Sequence, residues 1–372
     1  NSWMQYPVGC DFNLETVRNE MTSFSAVALS PVAVNKFFHT VTSSFVLAAL
    51  FVVGVSAWYL LRRREQQMAR KSIAIASAFG FVFALVTAFT GDRSGAIVAR
   101  VQPMKLAAME ALYDGQEGAP LTAVGVLRPE AEHTSNEDAF YFKIDIPKML
   151  SLMSFRDADA FVPGINDLIN GVSVNAQGDT VNTVSYAERI ERGRAAQEAL
   201  RRYEAAMKAN DTAAMQAAEA DIKADFQFFG YGFLDSVDEA VPPVALTFYA
   251  FRVMVMGGGY LLLFFVVMLF LCYRKPETME KGWVIFFGLL TIPVVWLVSE
   301  AGWVTAEMGR QPWTIEGLLP TRAAISAISA GSVQLTFWMF VVVFIGLLVA
   351  EVSIMTREIA KASRRDILAD ND

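Results

Sequence analysis

Ala301-Gly302-Trp303-Val304-Thr305-Ala306-Glu307-Met308-Gly309-Arg310-Gln311-Pro312-Trp313 closes a long apolar run, and its reading decides the fold. Glu300 stands seven residues before Glu307, with Trp296 and Trp303 at the intervening helical positions, so the four share one helix face. An ionised group at the centre of a bilayer costs about 2.5–3.5 kcal/mol on insertion scales. Two carboxylates on one face are therefore expected to look into a protein interior, where a metal, a cation or a proton path compensates them. Arg310 lies one turn beyond Glu307 and can supply part of that compensation. Buried structural ion pairs are the plainer alternative.

Composition agrees with a membrane protein of mixed character. Hydrophobic residues make up 54% of the 372, and the mean hydropathy is +0.37, too apolar for an ordinary soluble chain. The net charge of -7 is uneven: Asp92 to Glu239 holds 24 acidic and 14 basic residues, a net of -10, which leaves about +3 elsewhere. Such a balance argues against nucleic acid as a partner. Cys10 and Cys272 lie in different regions and form no disulfide framework.

Five apolar stretches reach the roughly 20 residues that a bilayer-crossing helix needs: Val41–Leu61, Ser72–Thr90, Leu246–Leu271, Trp283–Trp303 and Leu335–Ile354. Basic clusters set their orientation. Arg62, Arg63, Arg64, Arg70 and Lys71 join the first two spans; Arg274, Lys275 and Lys281 join the third and fourth; Arg357, Lys361, Arg364 and Arg365 follow the fifth. All fall on one side, which the positive-inside rule assigns to the cytoplasm. The expected class is an all-α integral membrane protein with five transmembrane helices and a large, mostly helical extracytoplasmic loop domain. Its parts are residues 1–90 (outer segment and two spans), 91–244 (outer loop), 245–357 (three spans) and 358–372 (cytoplasmic tail).

Within the outer loop, Arg100–Tyr113 reads as helix. Tyr186–Phe229 reads as a solvated helical hairpin bending at Asn210-Asp211, with same-face pairs Glu188/Arg192 and Glu198/Arg202 worth only a few tenths of a kcal/mol each. Between them, 120–182 carries turn residues and short apolar runs.

The chain has two histidines. His39 sits at the outer mouth of the first span, where an imidazole usually has a partner; a ligand role and an interfacial bond to a carbonyl both suit it. His133, flanked by acids, reads as surface. In the third span, Arg252 enters the apolar phase and needs an anion, of which haem propionates are one kind. Met254 lies near the depth of His39, Met256 is its alternative, and Gly257-Gly258-Gly259 after it permits close approach of a macrocycle or helix.

Several of these segments, taken in order, resemble subunit I of cytochrome bd-type quinol oxidases. Gly309-Arg310-Gln311-Pro312-Trp313 is similar to the family's GRQPW element, and Asn1 to Gly9 to its outer segment. Phe37-Phe38-His39-Thr40-Val41 matches the stretch with the low-spin haem b histidine. Phe251-Arg252-Val253-Met254 matches the partner methionine and a nearby arginine. Gln102 to Glu110 matches the quinol-binding loop, whose lysine and glutamate fall on Lys105 and Glu110. Glu307 falls on the glutamate ligand of the high-spin haem b, beside Trp303 and Arg310.

The resemblance implies a quinol:oxygen oxidoreductase of the bacterial cytoplasmic (inner) membrane. Glu110 would take a quinol proton while Lys105 stabilises the developing anion. Electrons would pass from the His39/Met254 haem to the high-spin haem b at Glu307, and dioxygen would be reduced to water at haem d. Quinol protons would leave outside and the protons of water come from inside, electrogenic without pumping. The implied partners are subunit II and a small single-helix subunit, besides quinol, dioxygen and lipid. The family's subunit I begins with four further helices, which carry a haem ligand of the oxygen-reducing site. This chain starts at Asn1, just before the fifth, and is expected to be a fragment inactive alone. The rival reading is an ion or proton transporter using Glu300, Glu307 and Arg310, or a non-catalytic membrane subunit. A copper-haem oxidase would need more histidine ligands than two.

Overall fold

A computed structural model describes residues 1–129, 135–175 and 178–362; His133 and most of the expected tail lie outside the described residues. The main helices are α1 (Pro31–Leu61), α2 (Gln66–Val101), α3 (Pro103–Glu110), α4 (Tyr186–Ala209), α5 (Thr212–Asp225), α6 (Val244–Arg274), α7 (Gly282–Met308) and α8 (Ala330–Ala362). Among the described residues, α1, α2, α6, α7 and α8 are the helices long and apolar enough to cross a membrane. This bears out the five expected spans. Helix α2 runs eleven residues past the expected end at Thr90, through the predicted start of the outer loop at Gly91.

The predicted helix Arg100–Tyr113 is two helices. Proline disfavours the α conformation in the residue before it, and Gln102, before Pro103, has φ -140° and ψ 61°. The chain turns there and starts α3, whose residues Met104 to Glu110 are all buried. Ala111, at φ 48°, ends it, with the Leu112 amide donating back to the Ala107 carbonyl.

The chain divides into two compact units. One comprises residues 1–48, 79–265 and 293–324. One of its cores gathers Met104, Ala108, Tyr186, Tyr231, Phe248 and Trp313 among others. The hairpin α4–α5 bends where predicted: Asn210 adopts φ 54°, and Asp211 caps α5 by accepting from the Ala214 amide at 3.1 Å. Glu188 pairs with Arg192 at 3.8 Å as expected. The second pair is re-partnered: Glu198 meets Arg201 at 2.9 Å, and Arg202 reaches Asp221 on α5 at 2.8 Å, because the folded hairpin offers a carboxylate across the turn. The stretch 120–182 holds an antiparallel hairpin, β1 (Leu121–Leu127) with β2 (Phe140–Ile146), beside short helices and strands. A small hairpin, β3 (Trp313–Ile315) with β4 (Leu319–Pro320), follows α7 after a cis Gln311–Pro312 bond.

The other unit comprises residues 49–78, 266–292 and 325–372. Gly54 admits Ile292, whose side chain would lie 2.5 Å from a Cβ at that position, and the Thr291 hydroxyl donates to the Gly288 carbonyl at 2.7 Å. Arg70 pairs with Glu280. Helix α8 is exposed along nearly all its length, and the Tyr59 hydroxyl donates to its Ile359 carbonyl at 2.9 Å.

Gly193 of α4 is where the loop packs most closely: a Cβ there would stand 2.3 Å from the Phe228 carbonyl oxygen and 2.4 Å from the Gly232 nitrogen. Neither backbone atom can rotate away. Gly193→Ala is expected to destabilise the loop by about 1–3 kcal/mol. Faster protease cleavage within residues 186–234, at otherwise normal expression, is the measurable result.

Candidate functional site

The turn at Gln102 aims α3 into the protein and buries both of its charged side chains. Lys105 is 5% and Glu110 4% exposed. Glu110 receives Arg252 of α6 in a two-pronged pair, 2.5 Å from Nη2 to Oε2 and 3.3 Å from Nη1 to Oε1, and the same Nη1 lies 3.3 Å from the Met109 carbonyl oxygen. The guanidinium lies 4.4 Å from the centre of the Phe248 ring. Burial pushes the Glu110 carboxyl above the usual range, and Arg252 pulls against it. Both charged side chains of α3 are thus closed off from solvent, and one anion for Arg252 is found within the chain, at Glu110. The cause is the α2–α3 break, which carries α3 against α6.

Lys105 points to the end of α7. Its ammonium donates to the Ala306 carbonyl at 3.1 Å, and its stem passes Gly309, where a Cβ would stand 3.1 Å from it. Burial, helped by nearby Lys36, lowers the Lys105 ammonium to about 7 against the opposing pull of Glu316 and Glu307. Glu307 forms an ion pair with Arg310 at 2.6 Å. Asn1 closes over both: its amide nitrogen donates to Glu307 at 2.6 Å, and its oxygen accepts from Arg310 at 3.0 Å and from Gln5 at 3.3 Å. Gln5 in turn accepts from Lys36 of α1. On the far side of Lys105, the Gln102 side chain donates to Glu316 at 2.7 Å. Burial raises the Glu316 carboxyl to about 7. A cavity of about 10 Å³ lined by Gln5, Asn35, Lys36, Ser94 and Gln102 lies beside this network, the size of one water molecule.

Glu316, Gln102, Lys36, Gln5 and Asn1 escaped the sequence reading. Their positions, scattered over 316 residues, carry no periodic signal; the Gln102-Pro103 break is the one local cue.

The remaining expected residues are placed as follows. His39 of α1 is half-buried, with Nδ1 3.0 Å from the Thr90 hydroxyl of α2; that hydroxyl donates to the Val86 carbonyl at 3.0 Å and the Thr87 carbonyl at 3.1 Å. A donor role for Nδ1 towards Thr90 leaves Nε2 with its lone pair, the arrangement that metal-ligating histidines use. Gly91 lies against the imidazole, with a built Cβ 3.4 Å from its Cε1. Met254 of α6 is half-buried, its sulfur 3.3 Å from a Cβ built at Gly302 of α7, while Met256 is exposed. The shared face of Glu300 and the two tryptophans does not look into this chain. Trp296 is 55% and Trp303 53% exposed, Glu300 is exposed, and Glu307 is the member drawn in. Arg252 and Arg310 each bury an Nε without any acceptor among the described residues. Buried guanidinium donors usually find a partner, so each arginine has capacity for one further hydrogen-bond acceptor.

A multi-pass helical membrane protein with a buried, charge-paired site is thus defined. The chain belongs to the family of cytochrome bd terminal oxidase subunit I, whose profile matches residues 1–363. It is 36% identical over 374 residues to the cytochrome bd-II ubiquinol oxidase subunit 1 of Escherichia coli (strain K12), covering 96% of this chain and 68% of that one. It is 28% identical to the cytochrome bd ubiquinol oxidase subunit 1 of Bacillus subtilis (strain 168), covering 98% and 64%. The bd oxidase of Geobacillus thermodenitrificans shares the fold, with a TM-score of 0.70 at 22% identity, over 98% of this chain and 65% of that one. The chain therefore spans about two thirds of the length of these relatives. Its five apolar helices and its family make it a multi-pass bacterial membrane protein.

Removing one partner of a buried ion pair typically costs about 3–5 kcal/mol, because the other charge is stranded. Arg252→Met is expected to lower the thermal midpoint of the detergent-purified protein clearly. The double variant Arg252→Met/Glu110→Leu should recover part of that loss. A single variant as stable as the parent would show that the pair is not held in the folded protein.

Proposed function

We propose that this chain is the quinol-oxidising, haem-carrying subunit of a terminal respiratory oxidase that reduces dioxygen to water. The observation that carries the reading is the pair of buried, acceptor-less Nε atoms of Arg252 and Arg310. One is two residues from Met254 and the other three from Glu307, the residues that fit iron ligation. A haem propionate is an anion of the size and charge that either arginine takes.

His39 with its Nε2 and Met254 with its thioether would hold a low-spin haem b, a ligand set suited to electron transfer. Glu307 offers a carboxylate to a high-spin haem b, with Arg310 and the exposed Trp303 beside it. When bound, these groups and haem d supply one-electron acceptors and an iron that takes dioxygen. The protein's part is to hold and tune them. Quinol is read at Lys105 and Glu110. Glu110, raised by burial, is a stronger base than a surface carboxylate and takes one hydroxyl proton. The Lys105 ammonium steadies the oxygen that is left.

The basic clusters support a loop 91–244 on the periplasmic side and a cytoplasmic C-terminus. With substrate protons released outside and those of water taken from inside, turnover is electrogenic without a pump. The exposed face of Glu300, Trp296 and Trp303 and the exposed helix α8 support burial against other helices, read as subunit II and a small single-helix subunit.

In the intact complex, Met254→Leu keeps volume but removes the thioether, and should convert one haem from low spin to high spin in reduced-minus-oxidised and paramagnetic resonance spectra. An unchanged low-spin signal would move the ligand to Met256 or remove it. Lys105→Ala should raise the apparent KM for quinol or cut turnover at normal haem content. Parental kinetics in both Lys105→Ala and Glu110→Gln would defeat the assignment of the quinol site.

A further inference from the structure

A quinol carries two hydroxyl protons, and Glu110 accounts for one of them. The other needs an acceptor near Lys105, and the fold supplies one candidate that the family resemblance does not mark. We propose that Glu316 is a second proton acceptor of the quinol site, taking the hydroxyl proton of the substrate oxygen that Lys105 steadies. This rests on the quinol reading of Lys105 and Glu110 above.

The geometry supports it in three ways. Glu316 follows the β3 strand, and its amide donates to the Met4 carbonyl at 2.9 Å, which fixes the backbone. Gln102, the residue that starts α3, donates its amide hydrogen to Oε2 at 2.7 Å. The side chain is thus positioned by the same turn that sends Lys105 inward, one helical turn further along α3. Glu316 is half-buried, whereas Lys105 and Glu110 are almost closed off. Of these three groups its carboxyl is the most accessible to a proton carrier.

The charged and titratable groups around it are few. Lys105 of α3 and Arg310, after α7, favour its ionised form. Tyr186 of α4 and Tyr231 lie within electrostatic reach and are held neutral, their phenols raised by burial. Lys36 and Glu307 act on it through Lys105, whose charge they tune. Burial outweighs both cations and leaves the carboxyl near 7, where a base combines availability with strength.

The proton step balances simply. The substrate O–H bond breaks, its electron pair stays on the oxygen as a quinolate, and a new O–H bond forms on a Glu316 carboxyl oxygen. The quinolate faces the Lys105 ammonium. No oxidant enters this step.

The test uses the intact complex with decylubiquinol as the probe, following oxidation from pH 5.5 to 9. The active form is the carboxylate, so the parental kcat/KM should fall as pH drops through about 7. Glu316→Gln keeps the shape and the contact with Gln102 but cannot take a proton. It should cut kcat at least tenfold, change the acid limb so that only the part due to Glu110 is left, and leave haem spectra unchanged, since a positioned general base contributes about 10²–10⁴-fold. Glu316→Asp should restore a limb at a shifted pH, which a purely structural role would not do. If Glu316→Gln fails to assemble, the Asp variant alone decides: a displaced limb supports the proposal and an unmoved one overturns it. A parental pH profile in Glu316→Gln overturns the proposal, and impaired Lys105→Ala in the same series shows that the quinol reading survives. Parental behaviour of Lys105→Ala, Glu110→Gln and Glu316→Gln together removes both.

Discussion

Arg252 and Glu110 are buried together, and the arrangement of the site depends on that pair. Taking either charge out of water alone costs several kcal/mol, so with one of them in place α3 and α6 pack well only when the other meets it. Two prongs to one carboxylate, plus a bond to the Met109 carbonyl and the Phe248 ring beneath, fix the guanidinium in direction as well as position. Through this contact Arg252, two turns into α6, is tied to the last residue of α3.

The other end of α3 is governed by backbone chemistry. Pro103 removes Gln102 from helical geometry, and the freed Gln102 side chain reaches Glu316. Lys105 then enters the space that Gly309 leaves open, and finds the Ala306 carbonyl. A side chain at residue 309 would occupy that space, which accounts physically for a glycine at the head of the Gly309-Arg310-Gln311-Pro312-Trp313 run. Its tryptophan serves elsewhere, stacked edge-on against Tyr231 at 4.8 Å in the core that joins the loop to α6.

Polar side chains that are satisfied and those that are not separate along this structure. Glu307 is paired with Arg310 and capped by Asn1, yet Arg310 keeps one buried donor without an acceptor, as Arg252 does. Glu300, Trp296 and Trp303 face away from the chain's own core. In lipid, a carboxylate so placed is expensive. The charged helix face and its two aromatic rings thus lie apart from the paired network around Lys105 and Glu307.

The five spans, the loop between the second and third, and the hairpin bend at Asn210-Asp211 were legible from hydropathy, charge and capping residues alone, because each is a local property of a continuous stretch. The family was legible from ordered short motifs. What local reading reached incompletely was partnership: it saw that Arg252 needs an anion without finding Glu110, and it set Glu198 against Arg202. Burial and pairing are decided by segments distant in the chain. Glu316 lies 214 residues from Gln102, and Glu307 lies 306 from Asn1. Periodicity reports which face of a helix is apolar, but the charge that meets a given charge depends on where other helices stop and turn. Only the folded chain brings those ends together.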